Sequence, residues 1–268
     1  MPASRPIRVA MQNFMAWFGL LLMAASLVWW EWIPRPPRIV QPRQAPAEEL
    51  FSLVVLDPGH GGQDSGAMCG NILEKDLTLD VARRVDRLLQ AQGLATLMTR
   101  VGDGYVSLAD RAALTNRSRD CILVSIHFNE GNKPVSSGVE TYYAAHQTAT
   151  GTTMASWLPF LQRVSTSAPK PESQALAGLI QDSLVARTRA VNRGAKAEQF
   201  FVLANVRYPA VLVEGGFLTN KEDIAKIGSE EYREQLAAAI SEGVITFRER
   251  LQQSQPAPLA VAAPDSTE

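Results

Sequence analysis

From residue 51 to about residue 249, short β-branched apolar runs alternate with longer stretches in which apolar residues recur every three or four positions. Residues 52–56 form one such run and stop at Asp57-Pro58-Gly59, a turn signal, so they predict a buried strand whose end delivers a loop. Leu77, Val81, Val85 and Leu88 then recur between charged positions until Gly93, which predicts an amphipathic helix lying on a sheet. Strands are predicted over 94–98, 122–126 and 139–143, and a short helix over 108–114. After Ala144 the pattern weakens. Residues 144–173 are rich in Thr, Ser and Pro around an apolar cluster of Trp157, Leu158, Phe160 and Leu161, which predicts an excursion from the sheet with a small helix. A helical pattern returns over 174–191, short strands are expected at 200–203 and 210–213, and residues 230–250 form a long helix with Leu236, Ile240, Val244 and Phe247 on one side. Strands alternating with helices imply a single α/β domain, residues 51–250, with a mostly parallel or mixed β-sheet flanked by helices.

The two ends of the chain read differently. Arg5 and Arg8 precede an apolar run, 14–30, broken only by Gly19 and Ser26, and Trp29, Trp30 and Trp32 suit a membrane interface. Residues 1–33 are therefore expected to be a signal anchor in a membrane, in preference to a signal peptide cleaved near Ala24-Ala25-Ser26. Arg35, Arg38 and Arg43 nearly offset the N-terminal charges, so charge alone does not orient the segment. Residues 34–50 read as a proline-rich spacer and 251–268 as a disordered tail. Across all 268 residues, 27 acidic and 26 basic side chains leave a net charge of −1. That balance lacks the basic footprint of a nucleic-acid binder. The two cysteines, Cys69 and Cys121, are expected to remain unpaired.

Candidate chemistry narrows the picture further. His60 and His127, two of only three histidines, each follow an apolar strand. Ligands in open α/β folds gather beyond the carboxyl ends of strands, so both can face one crevice. Zinc needs three or four N, S or O ligands, and Glu74, at the first turn of the predicted helix, is the best third. Glu214 ends an apolar strand, where a charge is unexpected unless it faces a site, and it suits a general base acting on water. Each residue also has a plainer reading. A strand-end histidine is usually a surface group, Glu74 favours a helix N-terminus, and Glu214 could pair with an arginine such as Arg193. His146 reads as solvent-facing.

The stretch Asp57-Pro58-Gly59-His60-Gly61-Gly62-Gln63-Asp64-Ser65-Gly66-Ala67 resembles the opening motif of the zinc-dependent N-acetylmuramoyl-L-alanine amidases of the Amidase_3 family. Glu74-Lys75-Asp76, Thr99-Arg100, Leu108 to Arg111, Ser125-Ile126-His127-Phe128-Asn129, Gly138-Val139-Glu140, Asn192-Arg193-Gly194 and Val213-Glu214-Gly215-Gly216-Phe217-Leu218-Thr219-Asn220 follow in family order. The resemblance implies an amidase/phosphorylase-like fold, with Zn2+ held by His60, Glu74 and His127 and with Glu214 as the catalytic glutamate. It implies a monomeric enzyme outside the cytoplasmic membrane, acting on the bond between muramic acid and the stem peptide of peptidoglycan in wall remodelling or cell separation. Asp57 either sits behind the ligands or only forms the turn, and Asn129 and Arg193 are candidates for substrate or loop support. Some family members carry an inserted helix that covers the zinc and awaits an activator protein. Here 144–173 is short, and a surface or substrate-shaping insertion is the preferred reading over an autoinhibitory lid. Another zinc amide hydrolase, or a noncatalytic peptidoglycan-binding module, are the alternatives.

Overall fold

A computed structural model describes residues 15, 17, 18, 23, 50–131, 135–148 and 167–254. Its strands are β1 (Leu53–Pro58), β2 (Met68–Cys69), β3 (Ile72–Leu73), β4 (Ala95–Met98), β5 (Cys121–Asn129), β6 (Val139–Tyr143), β7 (His146–Thr148), β8 (Ser167–Pro169), β9 (Asn192–Ala197) and β10 (Ala210–Phe217). Its helices are α1 (Glu74–Ala91), α2 (Leu108–Arg117), α3 (Pro171–Thr188), α4 (Phe201–Ala204), α5 (Lys221–Ile227) and α6 (Glu230–Ser254). The main sheet runs β4-β1-β5-β10-β6-β9, with β2–β3 and β7–β8 as separate antiparallel pairs. Strands β4, β1, β5 and β10 are mutually parallel, β6 opposes β10, and β9 follows β6 in parallel, so the sheet is mixed as expected.

The apolar runs are continuous because the central strands are covered on both faces. Val54, Leu56, Ile122, Val124, Ile126, Val211 and Val213 enter the larger core, with Val81, Val85 and Leu89 of α1, Leu176, Ile180 and Leu184 of α3, and Leu236, Ile240, Val244 and Phe247 of α6. The alternate positions Val55, Leu123 and Leu212 enter a smaller core on the opposite face, with Ala112 of α2 and Val202 and Leu203 of α4. A Cβ on Gly243 would lie 2.6 Å from the Ile180 Cα, so α6 approaches α3 as closely as it does only through that glycine.

Several elements differ from the sequence expectation, among them the short pairs β2–β3 and β7–β8, which the pattern does not predict. Where a strand is expected over 200–203 the chain forms the single turn α4, Phe201–Ala204: Val202 and Leu203 are both buried while Phe200 and Phe201 are exposed, which a helical turn allows and two-fold alternation forbids. Strand β9 and helix α5 are additional. Strand β9 reads Asn-Arg-Gly-Ala-Lys-Ala, an edge sequence held by pairing with β6, and α5 is set by Asn220, whose side chain accepts from the amides of Glu222 and Asp223. Helix α6 also continues past residue 250, which keeps Leu251 in the core.

Part of the 144–173 excursion is described. Buried Gln147 donates its amide to the carbonyls of Leu203, Val206 and Tyr208, and its oxygen accepts from Ser173 at 2.5 Å, which ties the excursion to the smaller core. His146 is exposed. The small helix and the apolar cluster around Trp157 lie outside the described residues, as do most of the spacer 34–50 and residues 255–268. Both cysteines are free, and burial pushes the Cys121 thiol up to about 12, where it is inert.

No helix among the described residues is long and apolar enough to cross a membrane. The transmembrane anchor expected for 1–33 is corrected accordingly, together with the membrane as a partner and a membrane-attached location. The physical reason is length: the apolar run 14–30 rises about 25 Å as a helix, short of a hydrocarbon core of about 30 Å. Of that run only Met15, Trp17, Phe18 and Met23 are described, all helical and exposed.

Candidate metal centre and active site

The site is built where β1 leaves the sheet. Past Pro58 the backbone carbonyls lose their strand partners, and buried carbonyls need donors. Two buried arginines supply them. Arg100 donates to Pro58 O and Gly59 O, and Arg111 donates to Pro58 O and His60 O, at 2.6 to 3.1 Å. Asp57 balances the Arg111 charge at 2.6 Å and accepts from Thr99 and Ser125 at 2.6 and 2.8 Å. Asp57 therefore sits behind the site and also fixes the turn. Beyond it His60 takes a φ of 59° and Gly61 and Gly62 are also left-handed, which curls the loop back on itself. Room for the loop is tight: a Cβ on Gly59 would lie 2.3 Å from the His127 ring, and one on Gly66 would lie 2.5 Å from Glu74 Oε2.

The curled loop brings three expected ligands together. His60 Nε2 lies 3.1 Å from Glu74 Oε2, His127 Nδ1 lies 3.0 Å from Glu74 Oε1, and the imidazole rings meet edge-on at 4.9 Å. One ligand atom from each residue falls within 4.8 Å of the others. His127 is the seventh residue of β5, inside the strand and not beyond it, and Glu74 opens α1. Two of the three are held from behind. Asp64 accepts from His60 Nδ1 at 2.9 Å, which leaves Nε2 facing the cluster, and the amides of Ala67 and Phe128 donate to the two oxygens of Glu74. Burial alone would raise the Glu74 carboxyl, but hydrogen bonds and charge from His127 and His60 outweigh it and hold the group below the usual carboxylate range. Burial works to lower the His60 imidazole, and contacts with Glu74 and Asp64 raise it on balance. Two imidazoles and an ionised carboxylate, supported from behind and open on one side, are a donor set that suits zinc.

Glu214 stands next to His127 across the β5–β10 pair. Its Oε2 is buried and finds no hydrogen-bond partner among the described residues, and burial, followed by the nearby charges of Glu74 and Glu140, raises the carboxyl well above its ordinary range. It does not pair with Arg193. That arginine binds Glu140, the neighbour of Glu214 on β6, at 2.9 Å. Glu140 is buried and also accepts from Lys196 at 2.5 Å and from Asn129 and Tyr142 at 2.7 Å each. Burial would raise its carboxyl, but Lys196, Tyr142 and Arg193 bring it below the ordinary value. The four residues singled out from sequence thus lie together at the carboxyl ends of β1, β5 and β10, and Asn129 and Arg193 meet on Glu140 beside them.

The Amidase_3 family profile, described as N-acetylmuramoyl-L-alanine amidase, matches residues 54–246. The chain belongs to the Amidase_3 family. It is 32% identical over 194 residues to the N-acetylmuramoyl-L-alanine amidase LytC of Bacillus subtilis, a match covering 72% of this chain and 35% of LytC, so the chain spans about a third of that relative. The germination-specific N-acetylmuramoyl-L-alanine amidase of the same organism is 31% identical over 210 residues, covering 73% of this chain and 79% of that protein. Among solved structures, an N-acetylmuramoyl-L-alanine amidase from Clostridium difficile 630 superimposes with a TM-score of 0.62 at 34% identity, covering 75% of this chain and 98% of that one. The sheet and ligand cluster of this Amidase_3 chain thus lie within the matched region. Arg100, Arg111 and Glu140 received no site role from sequence, although each ends one of the motifs found in family order, Thr99-Arg100, Leu108 to Arg111 and Gly138-Val139-Glu140.

Proposed function

We propose that this chain hydrolyses the amide between N-acetylmuramic acid and L-alanine in peptidoglycan as a zinc-dependent amidase, with His60, Glu74 and His127 as metal ligands and Glu214 as the catalytic residue. The observation that carries the reading is the convergence of two imidazoles and one ionised carboxylate beside a second carboxyl that is buried, unpartnered and protonation-prone. Zinc, when bound, supplies a Lewis acid that polarises the amide carbonyl and eases the ionisation of water. The protein's own work is orientation and proton transfer. Asp64 and the Ala67 and Phe128 amides fix the ligand side chains, while Arg100, Arg111 and Asp57 hold the loop that carries His60. Glu214 takes the proton of the attacking water on its free carboxyl oxygen and returns it to the departing alanine nitrogen; a carboxyl whose proton affinity burial has raised suits both transfers. All four residues are present, which speaks against a noncatalytic wall-binding module.

Digestion of purified peptidoglycan tests the reading, with zinc-loaded protein, with chelator, and with Glu214→Gln. Free stem peptides bearing a new L-alanine amino terminus are expected only from the zinc-loaded wild type. Fragments in which the lactyl–alanine bond is intact would overturn it.

A further inference from the structure

Four donors from three strands converge on the single carboxylate of Glu140, and two of them are cations with donors to spare. The side chains of Arg193 and Lys196 are 34% and 39% exposed, whereas that of Glu140 is 2% exposed. Arg193 spends only Nε on Glu140, and its two Nη groups meet no hydrogen-bond acceptor among the described residues. Its guanidinium is folded back over the ring of Phe217 at 4.8 Å, and Phe217 lies on β10 three residues beyond Glu214. Lys196 leans over Tyr142. Two cations against one carboxylate leave the cluster net positive. Glu140 and Phe217 hold the guanidinium in place, so its fork is organised before any ligand arrives.

Glu214, Glu140 and Arg193 lie in sequence on the adjacent strands β10, β6 and β9. Strands are about 4.8 Å apart and an extended peptide advances about 3.3 Å per residue. Arg193 stands two spacings from Glu214, but its guanidinium leans back one spacing onto Glu140, about 5 Å from Glu214, so a peptide whose first amide lies at Glu214 reaches the guanidinium within about two residues. Of the two sides of the scissile bond, the sugar offers hydroxyls and an acetamide, and the peptide offers carboxylates. The geometry points to Arg193, assisted by Lys196, as a subsite for a carboxylate on the peptide side, close to the alanine, so that the enzyme discriminates acidic from amidated stem peptides. This inference rests on the amidase reading above.

The test uses two soluble muramoyl-L-alanyl peptides that differ only in carrying glutamate or glutamine after the alanine, with the zinc-loaded full chain. The wild type is expected to favour the glutamate peptide about 10-fold to 100-fold in kcat/KM, the range of a charge-assisted forked contact. Arg193→Met should bring that ratio near one, Arg193→Lys should keep part of it, and Lys196→Met should reduce it. An equal rate on both peptides in the wild type, or an unchanged ratio in a folded Arg193→Met protein, would overturn the inference. Should Arg193→Met fail to fold, the Lys196→Met ratio decides, an unchanged value counting against it. Equilibrium binding of the same peptides to Glu214→Gln separates the two readings. If the wild type leaves the lactyl–alanine bond intact, the amidase reading fails, and a retained preference for glutamate in binding would still support the subsite.

Discussion

Glu214 is the side chain on which the proposed chemistry turns. It is a carboxyl with a buried, unpartnered oxygen, next to a histidine and in the field of two other carboxylates. Replacement by Gln should lower the rate by about 10²-fold to 10⁴-fold, the usual worth of a general acid–base group, while zinc content measured after dialysis stays at one per chain. Stability should respond in the opposite sense. Because the folded-state pKa of Glu214 is raised, the folded protein keeps a proton that the unfolded chain gives up near its ordinary value of 4.5. Stability therefore falls as pH rises above that value and until the folded group also ionises. In metal-free protein, Glu214→Gln should match the wild type in thermal unfolding near pH 4 and exceed it near pH 7. A wild type as stable as the variant at both pH values would remove burial strain from the account. Asp57 shows the contrasting case, a buried carboxylate with an arginine and two hydroxyls as partners.

At the level of elements, the site depends on how β1 ends and how α1 begins, because three ligand-bearing segments must meet within a few ångströms. Two glycines separate the demands of the site from those of the fold. Gly59→Ala would drive a methyl into the His127 ring, so zinc affinity, measured by competition with a chromophoric chelator, should fall while thermal stability changes less. Gly243→Ala would drive a methyl into the α3 backbone at Ile180, which cannot rotate away. About 1–3 kcal/mol of stability should be lost there, with zinc affinity of the folded protein intact. If both variants lost zinc and stability in proportion, the site and the helix packing would be one cooperative unit. The strand that the sequence hides, β9, matters for the same reason: its residues carry no strand pattern, yet its place beside β6 is what puts Arg193 and Lys196 on Glu140.

For the whole molecule, the unit that holds the sheet and site runs Pro46–Glu268, and its last described helix continues to Ser254. A 46–254 fragment should fold and hydrolyse peptidoglycan, and ending it at 250 should cost about 1.5–3 kcal/mol in denaturant unfolding, the worth of burying Leu251. Equal stability of the two fragments would place that last turn outside the cooperative core. The α/β class and most elements could be read from hydrophobic periodicity, since a period of two or of about 3.6 is a local property that burial on one or two faces imprints on the chain. His60, Glu74, His127 and Glu214 stood out because charged or metal-binding groups at the ends of apolar runs are locally conspicuous, and a run of motifs in family order joined them. What the sequence could not determine was pairing. Glu214 is left unpartnered while Arg193 goes to Glu140, Arg100 and Arg111 serve backbone carbonyls, and β9 gains its strand form from a neighbour. Each of these depends on which residues the sheet order β4-β1-β5-β10-β6-β9 brings side by side across tens of positions. That is a long-range choice made by packing, and no local spacing records it.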